Sequence, residues 1–180
     1  ELNSLYFNVD DLIVSSISEY EHLAKEKDIT ITYLNIEPGI LVYADRVRIK
    51  RVIKQLLHNA IKFSHPHSSV VMKVSTMVGT RATDKGELLK VSIGDTGIGI
   101  IQEKLKTIFN KQTFAREDDK TLGLGMGLYI CKEICLLHSG NIWVESQRGK
   151  GTSFHFTLPN ITMPEHEAEA EVKDKEKKSA

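Results

Sequence analysis

Two glycine clusters constrain this chain more than any other feature: Asp95-Thr-Gly-Ile-Gly-Ile100 and Gly123-Leu-Gly-Met-Gly127. The first follows a strand-like run, Leu88 to Gly94, and sets a carboxylate at its end beside Gly97 and Gly99. A carboxylate there can accept a hydrogen bond from an amine of a flat ligand, and glycines leave room for close approach. The second places alternate glycines at the start of an apolar segment that begins with Leu128. Freed N–H groups at a helix N-terminus, with the helix dipole behind them, form an anion site. One half suits a base and the other phosphates, so the pair points to a nucleotide. Either cluster alone is more often a turn. Neither is a GxGxxG or P-loop motif, and Gly149-Lys-Gly-Thr152 lacks the P-loop's leading glycine.

The rest of the chain reads as one soluble α/β unit. Its 180 residues carry 24 Lys+Arg against 24 Asp+Glu, so no net charge steers it toward nucleic acid or an anionic membrane. No run approaches about 18 consecutive apolar residues, and no signal peptide opens the chain; beginning at Glu1, it reads as a piece of something longer. Cys131 and Cys135 share a helix face, read as buried reduced thiols, and favour a reducing compartment.

Apolar spacing predicts a helix from Phe7 to Glu26 with Asn8 as cap, short strands at Ile29–Tyr33 and Leu41–Tyr43, and a helix from Asp45 to Phe63. Strands are expected at Val70–Val78 and Glu87–Gly94, then a short helix over Gln102–Phe109 and an aperiodic loop over Asn110–Leu122. A helix over Gly125–His138, ended by Gly140 as C-cap, leads into a hairpin of Asn141–Ser146 and Thr152–Leu158. In its second strand Thr152, Phe154, Phe156 and Leu158 face inward. Trp143 is expected in the core. Beyond Pro164 the composition turns to Glu, Lys and Ala, a linker or tail with little to bury.

On the Asp45–Phe63 helix, Gln55, Asn59 and Lys62 fall on one face. Asn59 sits among Leu56, Leu57, Ala60 and Ile61, where an idle amide would be costly. Its carbonyl oxygen can meet a hard cation such as Mg²⁺, and Lys62 can balance phosphate charge.

Read together, these segments resemble the ATP-binding domain of sensor histidine kinases. Gln55-Leu-Leu-His-Asn-Ala-Ile-Lys-Phe-Ser64 resembles the family's N box. Asp95 to Gly99 and Gly123 to Leu128 resemble its two glycine boxes, and Gly149 to Phe154 its closing motif. The resemblance spans roughly Leu5 to Pro159. It implies an α+β fold, a two-layer sandwich of the Bergerat type with a mixed sheet under three helices. The ATP-binding unit would occupy residues 1–160 and a charged tail 161–180. It further implies ATP and Mg²⁺ as ligands, with adenine at Asp95, Gly97, Gly99 and Ile100 and with Thr152 nearby. Phosphates would meet Gly123, Gly125, Gly127, Leu128 and Arg116 of an ATP lid. Metal would meet Asn59 and Gln55, and Asn59 with Lys62 would serve phosphoryl transfer.

The implied partners are the parent's own dimerisation segment, which bears the acceptor histidine, and a response regulator or receiver domain. The parent would be a homodimer and this part cytoplasmic, whether or not the parent is anchored in a membrane. Gln55 stands where these kinases commonly carry asparagine, Phe109 and Phe114 are unusually far apart, and the lid is short. None of the seven histidines has the company of an acceptor. Two other readings stay open: a nucleotide-binding signalling module without transferase activity, and a relative of the gyrase, mismatch-repair and heat-shock chaperone ATPases. The last use a glutamate one turn before the asparagine, where this chain has Gln55.

Overall fold

The computed structural model describes residues 1–79, 86–111, 126–159 and 161–162. Helix α1 (Val9–Lys25) opens on Asn8, whose side chain accepts from the Asp10 N–H at 2.8 Å. Helix α2 (Arg46–Phe63) opens on Asp45, which accepts from the Arg48 N–H at 3.1 Å. Both caps satisfy N–H groups that have no partner inside the helix. Helix α3 (Gln102–Leu105) is shorter than the apolar spacing suggests, and α4 runs Gly127–Leu137.

Eight strands complete the described residues: β1 (Leu5–Asn8), β2 (Thr30–Asn35), β3 (Leu41–Ala44), β4 (Ser69–Val78), β5 (Glu87–Asp95), β6 (Asn141–Gln147), β7 (Gly151–Leu158) and β8 (Ile161–Thr162). Five of them form a mixed sheet in the order β2-β4-β5-β7-β6, with β2 parallel to β4 and the other neighbours antiparallel. A small antiparallel sheet, β1-β3-β8, stands beside it. Sequence pattern gave no sign of β1 and β8, which are 4 and 2 residues long and too short to show a period.

The three longer helices lie in a row with α2 in the middle, touching α1 on one side and α4 on the other. Their apolar faces and the facing row of the large sheet make one core, including Leu56, Leu57, Ile61, Val91, Ile93 and Phe156. Cys131 and Cys135 are buried in it, and burial pushes the Cys131 thiol up to about 12 and Cys135 upward as well. The expected α+β sandwich is present, with three helices over a mixed sheet.

Two expectations are corrected. Trp143 is not core: it lies half-buried on the sheet face away from the helices, stacked on His155 at a centroid distance of 5.1 Å. The left-handed residue after α4 is Ser139 (φ 58°), not Gly140. Gly140 is needed for another reason, since a Cβ there would lie 2.0 Å from the Thr157 carbonyl oxygen. No helix among the described residues is long and apolar enough to cross a membrane.

Candidate functional site

The site lies where the C-terminal half of α2 meets the ends of β5 and β7. Asn59, Phe63, Asp95, Ile98, Ile100, Thr152 and Phe154 line one cavity that opens to solvent. Asp95 ends β5 directly opposite Thr152 on β7, and Thr152 stands opposite Ser146 on β6. A carboxylate, a hydroxyl and a second hydroxyl thus form a row across three strands, on the face that meets the helices.

Asp95 is 9% exposed and its Oδ1 accepts from the Gly97 N–H at 2.8 Å. Burial raises its pKa above the ordinary carboxylate value, while the N–H groups of Gly97 and Thr152 pull it back part of the way. The carboxylate therefore has acceptor capacity left on the cavity side.

The loop after Asp95 is sewn to its neighbours at each step. Ile98 N–H donates to the Phe63 carbonyl at 3.2 Å, and the Ile98 carbonyl accepts from Gly149 N–H at 2.8 Å. Ile100 N–H donates to Ser146 Oγ at 2.8 Å. A Cβ on Gly97 would lie 2.0 Å from the Phe63 carbonyl oxygen, and one on Gly99 (φ 65°) would lie 2.1 Å from that of Gln147. At both positions the missing Cβ admits protein backbone, which fixes the loop before any ligand arrives. The same holds at Gly151 (φ 103°), where a Cβ would meet the Asp95 carbonyl at 2.0 Å.

From α2, Asn59 is 2% exposed, and its Oδ1 accepts from Gln55 Nε2 at 3.1 Å. Its Nδ2 is buried with no hydrogen-bond partner. An amide nitrogen left so is costly unless something else completes it. Turning both amides by half a turn keeps their mutual bond with roles exchanged and sets a carbonyl oxygen at the orphaned position. That oxygen is the ligand type Mg²⁺ takes, so the pair fits a hard cation. Gln55 also packs on the start of α4, where a Cβ on Gly127 would lie 2.4 Å from its Cδ.

The structure thus brings Asn59, Asp95, Ile100 and Thr152 to one cavity, with Gly97 and Gly99 shaping its loop and Gln55 behind Asn59. Lys62 is exposed and does not line the cavity; its Nζ lies 5.3 Å from the ring centroid of Phe63, which does. Leu128 is fully buried in the core. Arg116, Gly123, Gly125, Phe114 and most of the expected lid lie outside the described residues. Sequence reading missed Phe63, Ile98 and Phe154 as walls and Ser146 as a hub. Ser146 was within reach, because the expected hairpin already sets it opposite Thr152.

Residues 44–162 match the family model described as histidine kinase-, DNA gyrase B-, and HSP90-like ATPase. Among curated relatives, the adaptive-response sensory kinase SasA of Synechocystis is 38% identical over 151 residues, covering 84% of this chain and 38% of the relative. SasA of Rippkaea orientalis is 40% identical over 143 residues, covering 79% of this chain and 35% of the relative. The chain therefore spans little more than a third of these proteins. Among solved structures, the catalytic domain of histidine kinase ThkA is similar with a TM-score of 0.74 at 26% identity, over 88% of this chain and 96% of that one. ThkA in complex with the response regulator TrrA matches with a TM-score of 0.71 at 28% identity, over 88% of this chain and 42% of that one. Full-length ShkA bound to AMPPNP gives 0.74 at 25% identity, over 88% of this chain and 31% of that one.

Proposed function

Because this chain belongs to the family of histidine kinase-, DNA gyrase B-, and HSP90-like ATPases, we propose that it is the catalytic, ATP-binding domain of a sensor histidine kinase. It presents the γ-phosphate of ATP to a histidine on a separate dimerisation segment. The observation that carries this reading is the buried Asp95 carboxylate sharing one cavity with Thr152 and the Asn59 amide. Asp95 accepts from the amino group of adenine, and Phe63, Ile98, Ile100 and Phe154 wall in a flat, apolar base. Gly127, at the start of α4, contacts the phosphates, and Gly123, Gly125 and Arg116 are further phosphate contacts.

Asn59, oriented by its bond to Gln55, would hold Mg²⁺, which would supply neutralisation of phosphate charge. Lys62 adds positive charge beside Phe63. What the chain's own residues supply is position and electrostatics, not covalent chemistry. Gln55 cannot take a proton at neutral pH, which disfavours activation of water and hence an ATPase.

Residues 1–160 form the ATP-binding unit, which β8 extends by a short pairing with β3; a charged tail follows. The parent protein is a cytoplasmic-facing homodimer that passes phosphate on to a response regulator. Radiolabelled ATP tests the reading. The chain alone should bind ATP, hydrolyse it very slowly and take up no label. Adding the parent's histidine segment should yield an acid-labile phosphohistidine on that segment. Binding without transfer in either condition would leave a nucleotide-binding module, and brisk hydrolysis an ATPase.

A further inference from the structure

We propose that Ser146 fixes the polarity of the Thr152 hydroxyl, and that this makes the Asp95–Thr152 edge of the cavity selective for a 6-aminopurine over a 6-oxopurine. The inference rests on reading the cavity as a nucleotide site, and it adds a specificity-determining residue that touches no ligand.

Counting protons at Ser146 leads to it. A serine hydroxyl has one proton to donate and two lone pairs to accept with. Ile100 N–H donates to Ser146 Oγ at 2.8 Å, which uses one lone pair. The Gly151 carbonyl can only accept, and it lies 2.8 Å from Ser146 Oγ, which uses the proton. The third partner, Thr152 Oγ1 at 2.9 Å, must then donate into the remaining lone pair. Thr152 has no second proton, so toward the cavity its hydroxyl offers lone pairs alone.

Its neighbour across the β5–β7 ladder is Asp95, whose carboxylate also only accepts when ionised. The edge therefore presents two acceptors side by side. An exocyclic amino group carries two N–H bonds and can meet both. A carbonyl in the same place sets lone pair against lone pair, and a buried polar group left so is penalised. Register makes the device possible, because Asp95, Thr152 and Ser146 occupy one row of three adjacent strands.

The test is calorimetric titration of the full chain with ADP and with inosine diphosphate, without Mg²⁺. Wild type should prefer ADP. Ser146→Ala frees the Thr152 proton to turn into the cavity, so the ADP preference should shrink by roughly tenfold. Thr152→Val removes the second acceptor and should shrink it comparably. The double variant should match Thr152→Val alone, because Ser146 acts through Thr152. If Ser146→Ala weakens both nucleotides equally, or if the two substitutions add, Ser146 is merely structural and the inference fails. Should Ser146→Ala not fold, an unchanged preference in Thr152→Val overturns it just as well. Wild type binding neither nucleotide would sink the nucleotide reading itself. Wild type binding ADP with the preference intact in both variants would sink this inference alone.

Discussion

Gln55 Nε2 donates to Asn59 Oδ1 at 3.1 Å, one turn apart on α2, and this bond leaves Asn59 Nδ2 buried without a partner. A buried unpaired amide costs about 1–3 kcal/mol. The fold tolerates it beside the cavity, as expected of a group kept for a ligand. Asn59→Ala removes both the orphan and the bond, and half-buried Gln55 can turn to water. The melting temperature without nucleotide should therefore hold steady or rise, while Mg²⁺-dependent nucleotide binding and phosphotransfer disappear. A large loss of stability with Mg²⁺ dependence retained would make Asn59 a core residue only.

Gly97 and Gly127 separate two kinds of glycine requirement. At Gly97 an added Cβ meets the backbone carbonyl of Phe63 at 2.0 Å, and neither side can yield cheaply. Gly97→Ala should cost about 2 kcal/mol or more in chemical denaturation. At Gly127 the added Cβ meets the end of the flexible Gln55 side chain at 2.4 Å. Gly127→Ala should cost less stability than Gly97→Ala, yet displace Gln55 from Asn59 and weaken Mg²⁺-nucleotide affinity more than affinity for nucleotide alone. Equal losses with and without Mg²⁺ would break the proposed link from α4 through Gln55 to Asn59.

Lys27 ties the far end of the same helix. Its Nζ donates to the carbonyls of Ile61, Lys62 and Ser64 at 2.9, 2.9 and 3.0 Å. The Phe63 carbonyl between them is taken by Ile98 N–H. A cation among the last carbonyls of a helix also meets the negative end of its dipole. Lys27→Met should cost about 1–2 kcal/mol and loosen nucleotide binding, since Phe63 and the Asp95 loop hang on that helix end. Lys27→Arg should recover most of both. A loss of stability with unchanged nucleotide affinity would confine Lys27 to the cap.

What could be read from the sequence follows period and local chemistry. The caps at Asn8 and Asp45, the α2 stripe and the inward row of β7 all repeat often enough to register, and they built the fold. β1 and β8 do not, because strands of 4 and 2 residues carry no period. Asn59 was legible because it breaks an apolar pattern with a polar group, Asp95 because it ends a strand beside two glycines, and Thr152 only through the family resemblance. Lys27 was not: its three carbonyl partners lie 34 to 37 residues away in sequence. Gly97 and Gly99 were found for their type, but no sequence shows that the freed space is filled by Phe63 and Gln147.

Asp95 gives a pH dependence in which binding and folding run in opposite directions. Burial is the first cause of its raised pKa, and the Gly97 and Thr152 N–H groups only partly oppose it. A carboxyl whose folded pKa exceeds its unfolded value stabilises the fold most below the unfolded value, and that contribution is lost as pH rises through the folded one. Nucleotide binding needs the ionised acceptor, so it should fade on acidification at a higher pH than an ordinary carboxylate would cause. Asp95→Asn supplies the non-titrating reference, with ADP affinity at neutral pH reduced roughly ten- to a hundredfold by the lost charge-assisted bond. Measured against that variant, wild type should gain relative thermal stability as pH falls below neutrality, while its ADP affinity declines over the same range. If the two proteins change in parallel with pH, Asp95 titrates as an ordinary surface carboxylate and does not hold the base.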